Sequence, residues 1–471
     1  MRHASNSGFL KGVGEIRSDI LIPRYYDPRL AEECGRLRQD HTPISLDELK
    51  ERGQLRHDHG NYVPKMTYGT GPYPYIRTSD LANWELRASP KHGVAREVFE
   101  QYQASQDVRA EDILFVHEGT YLIGSAALVT SFDGPMLYQH HLAKFRLENG
   151  APCGPYFLLA ALQSRFVGQQ VRARQFSADI IDSVVGRLGE VVIGIPKRGG
   201  DVSRIDAQMR DAILTRAKIR EKLSYVMREL DVWMRGGERA GLSRIFEWEP
   251  SADVYQGRPA FLGGRGDFKA FTRPAKQLVG DVLTPRYYDP EAAELAPAYS
   301  RLCRLEDVRR LVVERLLALD TGDEVGKISY GTGRIPFFRT SDLGSYELKQ
   351  DPKQGVSREI WEEWQQDQDV CVNDILLVRD GTYLVGTSVM VSDSDLPCLY
   401  CGGLIKIRCL DWDRCPPGLL YALLNAPYVR KQMRNKQFTR DVIDTLGRRF
   451  LEVLLPIPRD GGVRREIAGA V

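Results

Sequence analysis

The sequence predicts an α+β protein made of two homologous domains joined by a long coiled-coil-type helix. Three observations carry that expectation: one internal offset that recurs along most of the chain, short apolar runs bounded by turn signals inside each copy, and a heptad-spaced stretch after the first copy. The motif PRYYDP at positions 23–28 returns at 285–290, an offset of 285 − 23 = 262. The same offset relates YGTG at 68 and 330, PYIRTSDL (74–81) and PFFRTSDL (336–343), and PKHGVARE (90–97) and PKQGVSRE (352–359). It also relates DILFVHEGTYLIG (112–124) to DILLVRDGTYLVG (374–386), RQFSADIIDS (174–183) to KQFTRDVIDT (436–445), and GIPK at 194 to PIPR at 456. Copies of about 175 residues are far larger than solenoid repeats of roughly 20–50 residues, so each is expected to own a core.

Inside the first copy, apolar runs at 113–116, 121–129, 142–147 and 191–195 read as buried strands. HEGT (117–120) and its counterpart RDGT (379–382) separate two such runs and predict a hairpin. Helices are expected at 96–103 and from 155 to about 172, with Pro427 breaking the second of these in the second copy. The absence of a regular βαβ rhythm gives the α+β class.

After GIPKRGG the pattern turns helical from 203 to about 235. Apolar residues Ile205, Met209, Ala212, Ile219, Leu223, Val226, Leu230 and Trp233 form an a/d seam interrupted by Arg216. About 33 residues at ~1.5 Å each make a rod of about 50 Å. So narrow a seam calls for a helix alongside it, and Ile205, Met209, Ile219, Leu223, Val226 and Leu230 are the candidate partner-binding residues. In the second copy Ile467 and Val471 stand where Ile205 and Met209 stand, and the chain stops there. The expected organisation is a first domain at 1–200, a spacer helix at 201–236, a linker at 237–274, a second domain at 275–460 and a helical stub at 461–471.

The whole chain bounds its function. It has 471 residues, 42% hydrophobic and 27% charged, with a net charge of only +2, so binding to nucleic acid must come from local basic patches. No apolar run approaches the ~20 residues of a membrane span, and the N-terminus lacks a signal-peptide core. Eight scattered cysteines suit reduced thiols and a cytoplasmic setting.

These motifs in this order, twice, with the heptad helix after the first set, resemble the target-recognition domains and spacer helices of type I restriction–modification specificity subunits. The resemblance covers nearly the whole chain. It implies a non-catalytic subunit for phage defence, in which each domain reads one half of a split double-stranded DNA site. It also implies that the helices set the half-site separation and dock adenine methyltransferase subunits. S-adenosylmethionine would then be held by that partner, and a restriction/translocase subunit is a further candidate partner. The missing second spacer helix departs from the family pattern and leaves the usual stoichiometry open.

Catalytic signatures are wanting. There is no glycine-rich methyl-donor loop, no NPPY-like tetrapeptide and no GxxxxGK[ST] phosphate loop. Glu347-Leu348-Lys349 with Asp342 upstream resembles half of a nuclease motif, but the first copy reads Glu85-Leu86-Arg87. Cys398, Cys401, Cys409 and Cys415 invite a zinc reading, yet Met136, Gln139, Leu147 and Cys153 replace them in the first copy. His140-His141 is likewise replaced by Gly402-Gly403. No metal site is expected. A cryptic nuclease with duplicated domains, and a protein-interaction scaffold built on the helix, are the competing readings.

DNA contacts need phosphate clamps and side chains that reach base edges. The basic segments 169–176 and 429–440 supply Arg172, Arg174, Arg434, Lys436 and Arg440, with Arg430 and Lys431 beside them, and Gln175 and Gln437 carry amides suited to adenine. RTSD supplies Arg77, Thr78 and Ser79, and again Arg339, Thr340 and Ser341; its aspartate could instead fix the arginine. Lys91, Lys353, Thr120, Tyr121, Arg379, Thr382 and Tyr383 complete the set. PRYYDP reads as structural. Identical residues cannot distinguish two half-sites, so specificity is expected where the copies diverge, at 29–64 against 291–326 and at 125–140 against 387–402.

Overall fold

The computed structural model describes residues 9–17, 20–87, 90, 92–119, 122–178, 181–238, 241–246, 248, 271–280, 282–352, 354–381, 384–440 and 443–471. Among these, one compact unit ends at Ile219 and a second begins at Arg220. Most of the expected linker, along with Lys91, Thr120, Tyr121, Lys353, Thr382 and Tyr383, lies outside the described residues, as does the side chain of Arg440.

Each unit is built on a four-stranded antiparallel sheet. In the first unit the order is Leu55–His59, Leu142–Leu147, Ile113–Val116, Ala126–Leu128. In the second it is Leu317–Thr321, Leu404–Cys409, Ile375–Val378, Ser388–Met390. Successive side chains of a strand point to opposite faces, and the run ILFV is apolar throughout because both faces are covered. Ile113 and Phe115 enter one core, while Leu114 and Val116 enter another. Ile375 and Leu377 separate from Leu376 and Val378 in the same way.

Two consecutive helices pack on this sheet in each unit, and smaller sheets of two or three strands surround it. Pro155–Leu162 and Arg165–Arg174 cover one sheet face, and Pro417–Asn425 and Pro427–Lys436 are their counterparts. The single helix expected at 155–172 is therefore two. Gln163 closes the first, and Ser164 caps the second by accepting from Val167 N at 3.3 Å, so the break does not depend on proline. Pro427 occupies the first turn, where its missing N–H costs nothing.

The expected hairpin is half correct. Ile113–Val116 does pair antiparallel with Ala126–Leu128, but the strand is shorter than 121–129. Glu118–Gly119 is not a tight turn; it pairs with Ile181–Ser183 in a separate small sheet.

The long helix runs Gly199–Met234. Its buried stripe is wider than the a/d seam and shifted by one residue, through Ile213, Ala217, Met227 and Met234. Met209 and Ile213 pack into the first unit's core. Val226 and Leu230, 1% and 0% exposed, are core residues of the second unit, and Leu223 packs beside them. These three are used by the chain itself, which corrects their assignment to a partner helix. Ile205 is half-buried, Ala212 is exposed, and Ile219 is 52% exposed. The short helix Gly461–Ala470 buries Val463 and Ile467 in the second unit's core. No helix among the described residues is long and apolar enough to cross a membrane.

Candidate nucleic-acid interface

The segments in which the copies diverge converge in space beside an arginine that the copies share. In the first unit the chain leaves Leu55–His59 through Gly60, whose N–H donates to Leu142 O at 3.2 Å, and Asn61 then bridges to Gln139. A Cβ at Gly60 would lie 2.3 Å from Gln139 O, and one at Gly322 would lie 2.4 Å from Cys401 O. Only glycine allows that approach.

RTSD sits against this crossing. Arg77 N donates to Asp80 Oδ2 at 2.9 Å, as Arg339 N does to Asp342 Oδ2, and both aspartates are buried. The aspartate thus closes the turn and fixes the arginine, rather than facing a ligand. The Arg77 guanidinium lies over the Tyr68 ring at 5.6 Å, donates from Nε to Gln139 Oε1 at 3.3 Å, and places Nη1 3.2 Å from His92 Nε2. Arg339 lies over Tyr330 at 5.7 Å. Gln139 and His92 become Cys401 and Gln354 in the second copy, so a constant arginine meets a variable surround. Thr78, Ser79 and Thr340 are half-buried and Ser341 is exposed, all on the same turns.

Next to that arginine the first unit carries histidines. His59 Nδ1 and His117 Nε2 are 3.3 Å apart, His117 Nε2 is 2.9 Å from His140 O, and His141 Nδ1 meets Glu118 Oε2 at 2.8 Å. Burial, then the charge of His59, holds His117 down to about 4. His57 is also held down to about 4 by burial, with His59, Lys50 and His117 adding to it. In the second unit the same backbone presents Thr321, Arg379, Asp380, Gly402 and Gly403. Arg379 donates to Asp380 Oδ2 from Nε at 2.8 Å and from Nη2 at 2.6 Å, and from Nη1 to Thr321 Oγ1 at 3.4 Å.

The basic helix ends are less available than their charge suggests. Arg174 pairs with Glu190 at 3.3 Å and lies over Tyr25 at 5.7 Å; Lys436 pairs with Glu452 at 3.1 Å and lies over Tyr287 at 5.0 Å. Tyr25 and Tyr287 themselves donate to Glu190 and Glu452, at 2.8 and 2.7 Å. Arg24 and Arg286 donate to the carbonyls of Gln175 and Gln437. PRYYDP is therefore a strap over these helix ends, and the two glutamines and two cations help hold it. The Gln437 side chain donates to Val385 O at 3.2 Å. Half-buried Arg434 is drawn down to about 10 by burial and by the charge of Arg430, and Lys431 pairs with Glu291. Arg172 stands exposed at the end of its helix.

Other candidate chemistry is absorbed into the fold. Glu85 is held by Arg216 at 2.6 Å, and Arg87 Nε donates to Ser79 O. Cys398 and Cys401 belong to one core and Cys409 and Cys415 to another. Among the described residues no three histidine, cysteine or acidic side chains are grouped to hold a metal ion.

Three buried polar groups escaped sequence reasoning, although the repeat preserves each. Gln106 clamps Tyr138 N and O at 2.7 and 2.9 Å, and Gln368 does the same to Tyr400. Gln170 clamps Val192 and Gln432 clamps Leu454. Lys144 and Lys406, 0% and 2% exposed, donate to the carbonyls that end the preceding helix. The signal available was a glutamine or lysine kept in both copies within apolar surroundings.

No family model matches the chain, and no curated protein matches it. Among solved structures it is similar to the type I restriction–modification S subunit from M. genitalium, at 12% identity over 91% of this chain and 87% of that one, with a TM-score of 0.28. It is similar to the HsdS subunit from Thermoanaerobacter tengcongensis at 15% identity over 91% and 87%, with a TM-score of 0.27. A structure described for assembly and conformational transition of the type I R-M system matches at 16% identity over 92% and 89%, with a TM-score of 0.26.

Proposed function

We propose that this chain is the DNA-recognition subunit of a restriction–modification complex, each unit reading one half of a bipartite double-stranded site. The observation that carries the reading is the pairing of an invariant frame with a variable face. The elements of the two copies keep one register from 13–15 and 275–277 through to the helices that begin at Gly199 and Gly461, and the shared Arg77 and Arg339 border residues that differ. That is what two readers of different half-sites need: common groups that position the duplex and private groups that reach bases. Electrostatics supports contact at the arginines, since guanidinium is suited to phosphate and to base edges.

On this reading the chain is not an enzyme. Methyl transfer to adenine, with S-adenosylmethionine as donor, belongs to a partner subunit, and cleavage belongs to a further one. The exposed Ile219 and the half-buried Ile205 are the seam positions that remain for such a partner. The test is methylome sequencing of cells carrying the partner methyltransferase with and without this chain. A bipartite methylated motif that appears only with the chain supports the reading; methylation independent of the chain sinks it.

A further inference from the structure

We infer that Arg379, buttressed by Asp380, reads a guanine in the second unit's half-site, and that His117-Glu118 at the matching place makes the first half-site differ. The inference rests on the DNA-recognition reading above.

The geometry is that of a pre-oriented guanidinium. Arg379 has five N–H donors. Nε and one N–H of Nη2 go to Asp380 Oδ2, and one N–H of Nη1 goes to Thr321 Oγ1. One N–H remains on each terminal nitrogen, the pair that matches guanine O6 and N7 in the major groove. Asp380 is itself held, because its Oδ1 accepts from Thr445 Oγ1 at 2.5 Å. The backbone behind the pair is pinned too: the N–H groups of Arg379 and Asp380 both donate to Gly403 O, at 2.9 and 3.1 Å. Both side chains remain partly open, at 28% and 27% exposure. A guanidinium fixed in this way loses little freedom on contacting a base.

The first unit keeps the frame and changes the reader. His117 N donates to His141 O at 3.2 Å, as Arg379 N does to Gly403 O, so the backbones correspond. His117 is 2% exposed and turned to His59 and His140, and Glu118 is taken by His141. The first unit therefore offers no forked donor there, and its half-site should lack the guanine preference at the matching position.

The experiment is selection of randomised duplex DNA by the full-length chain, followed by sequencing, for three proteins. The unsubstituted chain should enrich two half-sites, with a guanine in one. Arg379→Lys, which keeps the charge, should reduce preference for that guanine about 5- to 150-fold and leave every other position as it was. The combination His59→Thr, His117→Arg, Glu118→Asp and His141→Gly, which rebuilds the second unit's arrangement, should add a guanine to the first half-site. An unchanged motif in Arg379→Lys, or no gain in the rebuilt first unit while both half-sites are still enriched, overturns the inference and leaves the DNA reading standing. No enriched motif with the unsubstituted chain overturns both.

Discussion

Arg216 of the long helix donates from Nε to Glu85 Oε1 at 2.6 Å, joining the helix to the hairpin of its own unit. The residue that looked like a flaw in the heptad seam is thus a tie. Both side chains are largely buried, at 24% and 10% exposure, so solvent screens the pair little. Arg216→Ala should destabilise the first unit by about 1–3 kcal/mol. Urea unfolding would check this, and a double-mutant cycle with Glu85→Gln should recover part of the loss.

Acid should weaken the first unit before the second. His57 and His117 are held down to about 4, chiefly by burial, against about 6.5 in an unfolded chain. As pH falls below about 6.5 the unfolded state takes up protons first. Their contribution is therefore complete above about 6.5 and falls by about 1.4 kcal/mol per unit for each histidine down to about 4. His59, Lys50, Asp58, Glu118 and His141 surround them, while Leu319 and Arg379 stand in their places in the second unit. Hydrogen exchange at pH 7 and 5 should show protection lost mainly in the first unit; equal loss in both would refute the assignment.

Lys144 lies wholly buried, with Nζ 3.2 Å from Asp107 O and 3.3 Å from Asp58 Oδ2. Lys144→Met would take the buried donor from Gln106 O, while Asp107 O keeps Arg146, at a cost of about 3 kcal/mol. Lys406→Met should cost a similar amount in the second unit. Denaturant titration of each variant measures both, and a change below about 0.5 kcal/mol would show that the carbonyls find other donors.

Arg77→Ala and Arg339→Ala should each weaken DNA binding without changing the preferred sequence of the other half-site. If the guanidinium meets phosphate, the slope of log affinity against log salt should fall by about 1 per substitution. Titration at several salt concentrations reads this directly, and an unchanged slope would assign the arginine to base contact or to structure.

Much of this was legible in the residues. Short apolar runs marked the central strands, and Leu142–Leu147 falls where its pattern places it. The repeat gave the two-domain organisation because one offset admits no insertion. The seam was misread because spacing alone does not tell a partner helix from the chain's own core: Val226 and Leu230 satisfy both patterns. Arg174 and Lys436 looked like phosphate ligands because Glu190 and Glu452, which neutralise them, lie 16 residues further on. The variable face was foreseen only as divergent segments. That Asn61, Gln139 and Arg77 meet depends on strand pairing across the sheet, which local pattern does not encode.

The central claim is that two copies of one scaffold read two different sequences. It is tested most directly by exchanging residues 57–64, 117–118 and 136–141 of the first unit for 319–326, 379–380 and 398–403, then sequencing the motif that the full-length chain selects or directs for methylation. The account predicts that the first half-site takes on the second's sequence while the second half-site stays unchanged. Retention of the original bipartite motif by the exchanged chain would contradict it.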